Sequence, residues 1–441
     1  MAENARLDRV LGMPSIVLFG LAYLVPLTVF TTYGVVTELT AGHLPAAYVV
    51  TLVAMLFTAY SYGLMVRAHP FAGSAYTYTQ RSFGPHLGFM TGWALLLDYL
   101  FLPMINYLVM GIYLEAAFPG VPVAVWIIGA ILLVTGLNVL GIRLVARMNF
   151  VLVAVQVVFI AVFLVAAGRT IAGAGLPSLA EPFLPSGSEA SAVLGGAAIL
   201  CLSFLGFDAV STLSEETRDP RRRIPRAIML VTVIGGTLFV LVSYVGHLVF
   251  PRYTEFTDVD SAALDVVGAA GGAALTAFFT AAYIAGCFGS AMASQASVSR
   301  ILYAMGRDGA LPARIFGRLH QRFHTPALAT AVVGLLSCIA LVISLELASS
   351  MISFGALVAF SLVNLSVIKH YVIDEGRRTP ASLLAYAVVP GIGVLLTLWL
   401  WTSLSGTTFA VGLAWIAAGF GYLVGLTRMF TRRPPELQLA S

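Results

Sequence analysis

Gly20-Leu21-Ala22-Tyr23-Leu24-Val25-Pro26 and Ser203-Phe204-Leu205-Gly206-Phe207-Asp208 decide the fold of this chain. Each stretch interrupts an apolar run long enough to cross a bilayer. Proline lacks the amide that a helix needs and its ring collides with the preceding turn, so a break around Ala22–Pro26 is expected. In the second stretch glycine, serine and aspartate cluster in mid-run, placing a break at Gly206. Irregular backbone at membrane depth survives only where protein or a water-filled cavity satisfies its polar groups. The two breaks are therefore expected to face each other inside a bundle rather than lipid.

Working outward, the composition belongs to a chain whose solvent is lipid. Of 441 residues, 59% are hydrophobic and 10% charged, and the mean hydropathy is +0.94; a soluble domain needs far more charge to cover its surface. Runs of about 20 mostly apolar residues fall near residues 14–37, 44–66, 86–117, 122–141, 148–168, 191–214, 226–250, 270–299, 326–345, 347–371, 382–403 and 407–430. The fold class expected is all-α integral membrane with about twelve spans, numbered here in chain order. The apolar run from Pro14 is too long for a signal-peptide core and leads directly into further spans, so it reads as a retained first helix.

The basic residues test the count independently. If both termini are cytoplasmic, 22 of the 24 lysines and arginines lie in inside segments, and only Arg169 and Arg252 lie outside. A miscounted span would scramble that alternation. The formal net charge of +4 is thus a topology signal and gives no reason to expect nucleic acid as a partner. The three cysteines all fall within apolar runs without paired spacing, and the seven histidines are scattered, so neither a disulfide framework nor a metal site is expected. No hydrolase, metalloprotease or phosphate-loop motif is present, which gives no support to an enzyme or an ATP-driven pump.

Of the 20 acidic residues, two lie deep within spans, far from either end. Asp98 is about twelve residues, roughly 18 Å of helix, beyond His86, and Asp208 is roughly 15 Å of helix before Arg218. Charged groups at that depth cost about 2.5–3.5 kcal/mol on insertion scales, so a functional reason is the default expectation. Breaks in spans 1 and 6 together are what a five-plus-five inverted repeat predicts: a first repeat over 14–168, a second over 191–371, and two added helices over 382–430. In that architecture the broken helices build the substrate site of a secondary transporter near the midplane.

Six stretches resemble the amino acid–polyamine–organocation superfamily, most closely its bacterial putrescine importers. They are GLAYLVPLTVF from Gly20, GSAYTYTQRSFGPHLGFMTGW from Gly73, LLDYLFLPMIN from Leu96, SFLGFDAVSTLSEET from Ser203, ASVSRILYAMGRDGALP from Ala296 and SFGALVAFSLVNLSV from Ser353. The resemblance implies a single polytopic domain in a bacterial inner membrane that imports its substrate on an ion gradient, with protons as the expected coupling ion. Amino acid transporters of this superfamily usually carry Gly-x-Gly at the first break, where exposed amides hold a carboxylate. Here Gly20-Leu21-Ala22-Tyr23 lacks the second glycine, which favours an amine without a carboxylate.

On this reading Asp98 and Asp208 pair with the ammonium groups of a small cationic amine such as putrescine. Tyr23, Tyr99, Tyr107 and Phe207 add cation–π contact at ~0.5–2 kcal/mol each, and Ser203 lines the break. Either aspartate can carry the proton. Sodium, held by Ser290, Ser294 and Ser297 of span 8, is the alternative, and span 5 lacks the lysine that some proton-coupled members place there. Glu215 and Glu216, ending span 6, are candidates for a cytoplasmic gate. Structural readings stand beside these: Asp98 as a polar helix contact, Asp208 as a helix cap. The competing functions are an amino acid or other small-amine permease and, from another class, an amine-binding membrane receptor or scaffold. No cofactor is expected.

Overall fold

The computed structural model describes residues 11–70, 74–140, 143–174, 179–185, 187, 189–215, 217–307, 309, 311–323, 325–432 and 434, with the side chains of 143–152, 174, 215 and 304 excepted. Among the described residues, eleven helices are long and apolar enough to cross a membrane, and Ala327–Leu341 is a shorter apolar one. Together they occupy the twelve places read from hydropathy. The chain is a multi-pass membrane protein.

Spans 1 to 6 are Met13–Phe30, Leu44–Ala68, Pro85–Ala117, Val123–Leu140, Val153–Gly173 and Glu189–Ser214. Spans 7 to 12 are Pro220–Val249, Ala263–Arg307, Ala327–Leu341, Leu345–Asp374, Pro380–Thr402 and Gly406–Leu426. Burial separates centre from rim. In span 10, 78% of the apolar window is buried and in spans 3 and 6 it is 72%, against 22% and 17% in spans 11 and 12. The last two helices therefore present most of their apolar surface to lipid, where leaving leucine exposed costs nothing.

Local chemistry sets several ends. Ser344, Thr379 and Ser405 accept from the amides of Leu347, Ser382 and Thr408, capping spans 10, 11 and 12. The long helical stretch of span 8 is interrupted at Gly272, at φ 65° and ψ −166°, where two helices meet at a kink. An amphipathic helix, Ser74–Phe83, lies between spans 2 and 3. Hydropathy gave no sign of it, since its residues are too polar to count as a span. The Gly88–Gly92 pair of small residues faces this helix: a Cβ on Gly88 would lie 2.7 Å from Cβ of Gln80.

Span 12 is fastened to span 3 by two indoles. Trp93 Nε1 donates to the carbonyl of Trp415 and Trp415 Nε1 to that of Trp93, each at 2.9 Å, with the rings stacked 5.0 Å apart. Gly419 admits the Trp93 ring, whose Cδ1 would sit 2.3 Å from any added Cβ. Gly419→Leu should lower the melting temperature of the purified protein by a few degrees, the effect of overpacking at about 1–3 kcal/mol, while leaving substrate affinity unchanged. An unaltered melt would show that span 12 contributes little to stability. On the face bearing the basic loops, Leu11 bridges to Thr217 and accepts from the Arg218 amide at 3.3 Å. The start of span 1 is thereby joined to the end of span 6.

Candidate substrate site

Span 1 is helical through Leu24; Ala22 lies in its last turn and accepts from the Val25 amide at 3.3 Å. The chain leaves helical geometry at Val25 (φ 52°, ψ 98°), three residues after Ala22, and continues as a 3₁₀ turn over Pro26–Phe30 before the helix resumes at Tyr33. The delay is physical: Pro26 disfavours helical geometry in the residue before it more than in earlier ones. One freed backbone group finds a partner across the bundle, and side chains brace the rest of the break. The buried amide of Leu27 donates to Gln156 Oε1 of span 5 at 3.3 Å, Thr28 Oγ1 donates to the Leu24 carbonyl at 2.9 Å, and Tyr283 of span 8 donates to Thr31 Oγ1 at 2.7 Å.

Span 6 is α-helical over Glu189–Leu200, passes into a 3₁₀ turn at Cys201–Phe204, and resumes as a second 3₁₀ segment over Ala209–Glu215. Ser353 of span 10 satisfies the first end, accepting from the Leu202 amide at 3.2 Å and donating to the Ile199 carbonyl at 2.8 Å. Ser203 Oγ pairs with the Tyr48 hydroxyl at 3.3 Å. Asp208 Oδ1 accepts from the Gly206 amide at 3.0 Å, closing the turn on itself. The two breaks touch: a Cβ on Gly206 would stand 2.9 Å from the Leu24 amide nitrogen and 3.0 Å from Tyr23 Cδ1.

Asp98 sits on span 3 opposite span 10, where Gly355 admits the helix backbone: a Cβ there would be 3.3 Å from the Asp98 amide nitrogen. Asp98 is 6% exposed, and its Oδ1 has no hydrogen-bond partner among the described residues. Five residues on, Pro103 lies inside the helix and removes the amide that would have engaged the Tyr99 carbonyl. Asp98 and Asp208 lie within electrostatic range of each other, and Tyr23, Tyr62 and Tyr99 share the neighbourhood. Spans 1, 3 and 6 contain no lysine or arginine to neutralise the pair.

The structure divides the residues singled out in the sequence. A cavity of about 120 Å³ lies among spans 1, 3, 5, 6 and 8, lined by Ala22, Tyr23, Asn106, Gln156, Ser290 and Ser294, with Ser297 also on its wall. At about 30 Å³ per water it takes only a small molecule. The aspartates are not on its wall; Tyr23 is common to both regions. Phe207 is fully buried, 5.6 Å from Tyr62 and 5.3 Å from Phe360 ring to ring, so its faces are already occupied by aromatic neighbours. Tyr107 is buried away from the cavity, and its hydroxyl has no partner among the described residues. Ser294 spends its hydroxyl on the Ser290 carbonyl at 2.7 Å. The Glu215 side chain and all of Glu216 lie outside the described residues.

Two wall residues escaped the sequence reading. Asn106 donates to Ser290 Oγ at 3.0 Å, linking spans 3 and 8, and Gln156 holds the break of span 1. Both are amides inside apolar runs, a signal weaker than a charge. Gln156→Met keeps the shape and deletes the acceptor, leaving a buried amide unpaired at about 1–3 kcal/mol. Hydrogen exchange over residues 25–30 should accelerate roughly 5- to 100-fold as a result. Unchanged exchange there would mean that the break is held by packing alone.

At the end of the bundle opposite the basic loops, a second cavity of about 660 Å³ is edged by Glu115, Asp258, Asp260 and Asp265. Burial first, and then the charges of Asp258 and Glu346, hold the Asp260 carboxyl above the ordinary carboxylate range.

Comparison with known proteins places this geometry. The sequence profile of the amino acid permease family matches residues 15–426. The chain is 42% identical to the low-affinity putrescine importer PlaP of Escherichia coli (strain K12), over 99% of this chain and 97% of that protein. It is 29% identical to a methylthioribose transporter of Bacillus subtilis (strain 168), over 95% and 93% of the two chains. With the branched-chain amino acid permease BcaP of the same organism the identity is 27%, over 94% and 92%.

Proposed function

We propose that this chain, which belongs to the amino acid permease family, imports a small diamine of the putrescine class by alternating access in a bacterial cytoplasmic membrane. Spans 1–5 and 6–10 are read as the two inverted repeats, and both termini as cytoplasmic, in keeping with the arginine distribution. One observation carries the substrate class. Asp98 Oδ1 is a buried carboxylate oxygen with no partner among the described residues, beside a second intramembrane aspartate and with no basic residue on the spans that hold them. A buried charge needs a partner, and two carboxylates suit the two ammonium groups of a diamine. The 42% identity to a protein named as a putrescine importer supports the same reading.

In this account Tyr23 and Tyr99 flank the amine, Asp208 both closes the span 6 turn and meets one ammonium, and Asp98 meets the other. Ser203 and Phe207 act behind them, holding the turn through Tyr48 and through the Tyr62–Phe360 rings. Tyr107, off the cavity wall, tunes the packing of span 3. Protons drive the cycle, with an aspartate as carrier. Ser290 and Ser294 would be the place for sodium, but Asn106 and the helix backbone already engage their hydroxyls.

The test is uptake of radiolabelled putrescine into proteoliposomes under imposed proton or sodium gradients. Gradient-driven uptake that other diamines compete and neutral amino acids do not is the expected result. Competition by amino acids alone would transfer the assignment to an amino acid permease. Binding without accumulation would make the protein a receptor.

A further inference from the structure

On the face bearing the basic loops, a cavity of about 420 Å³ opens among the ends of spans 4, 8 and 9. Arg300 of span 8 and Arg322 of the following loop line it, over a floor that includes Asn138, Ser299 and Thr330. Topology requires only that arginines lie on the cytoplasmic side; it does not require two of them on one cavity. Neither arginine forms an ion pair among the described residues, and the lining contains no carboxylate. The walls are also held in place. Thr325 Oγ1 donates to the Val139 carbonyl at 2.8 Å, fixing the loop to the end of span 4, and the Arg322 guanidinium lies 5.5 Å from the Phe323 ring centroid.

The floor adds an independent observation. Asn138 is 5% exposed; its Nδ2 donates to the Met292 carbonyl and to Gln295 Oε1, and its Oδ1 has no partner among the described residues. A buried acceptor below two guanidiniums that form no ion pair among the described residues suits a ligand that is anionic and also carries a hydroxyl donor. Guanidinium forks match phosphate oxygens. Leu140 and Leu328, beside the cavity and 60% and 51% exposed, mark where the lipid-facing surface ends.

We propose that this cavity is a binding site for a hydroxyl-bearing phosphate group, held by Arg300 and Arg322 with Asn138 beneath it. It lies at the end of the bundle that bears the basic loops, so a phospholipid such as phosphatidylglycerol and a free phosphate are the two sources of that chemistry. Occupancy would tie the inner end of span 8, which also lines the central cavity, to spans 4 and 9.

The test is thermal unfolding of the full chain in mixed micelles containing phosphatidylglycerol, phosphatidylcholine, or phosphatidylcholine with inorganic phosphate. Phosphatidylglycerol should raise the melting temperature above the phosphatidylcholine value. Its apparent affinity should weaken tenfold or more in R300A/R322A, the worth of a lost charge-assisted hydrogen bond. Arg314→Ala, an exposed arginine off the cavity wall, should leave it unchanged. Protection by inorganic phosphate that the double variant loses would keep the site and identify a soluble source. The proposal is overturned by no protection from either, by equal protection of the double variant, or by an equal loss in Arg314→Ala. Should R300A/R322A not fold, Arg300→Gln and Arg322→Gln singly carry the same comparison.

Discussion

Asp98→Asn should reduce putrescine uptake, measured as kcat/KM in proteoliposomes, by roughly two to three orders of magnitude while the protein still folds. Breaking a buried charge pair by removing one partner costs about 3–5 kcal/mol, and each 1.36 kcal/mol is a factor of ten in rate. Folding should survive because Oδ1 makes no hydrogen bond among the described residues, so the substitution breaks none there. A neutral amide also relieves repulsion from Asp208, and the melting temperature should hold or rise. Asp208→Asn separates the two roles of that residue: its remaining carbonyl can still accept from the Gly206 amide, so the turn persists while one ammonium contact is lost. Full uptake by Asp98→Asn, with unchanged affinity, would defeat the diamine reading and make Asp98 a structural polar residue.

Gly206→Val should abolish transport through the backbone. Gly206 stands at φ 131°, a region that residues with a Cβ rarely adopt, and its absent side chain leaves room for the backbone of span 1 at Leu24. Strain of this kind costs about 1–3 kcal/mol before the collision with a backbone nitrogen 2.9 Å away is counted. The clash cannot be relieved by a rotamer change. Gly206→Ala should lose uptake at least tenfold, and Gly206→Val should also lower the yield of folded protein. Gly136→Ala, where nothing lies within 4 Å, is the matching control and should transport normally. Equal activity of Gly206→Ala and Gly136→Ala would show that the two breaks need not touch.

The sequence by itself determined the properties that accumulate along the chain. Hydropathy is additive over a window, so twelve crossings could be counted; arginine placement is set loop by loop, so it supports a proposal of their direction; Pro26, Gly206, Asp98 and Asp208 are conspicuous in apolar runs because each violates its surroundings. Only the tertiary structure decided which groups meet. That Leu27 rests on Gln156, 129 residues away, and Leu202 on Ser353, 151 away, is a matter of distance in space, to which no local window is sensitive. The same holds for the separation of Ser290 and Ser294 from the aspartates, the enclosure of Phe207 by Tyr62 and Phe360, and the cavity shared by Arg300 and Arg322. A broken helix in a membrane must satisfy its freed backbone groups; the breaks were legible as local defects, and their partners were fixed by packing.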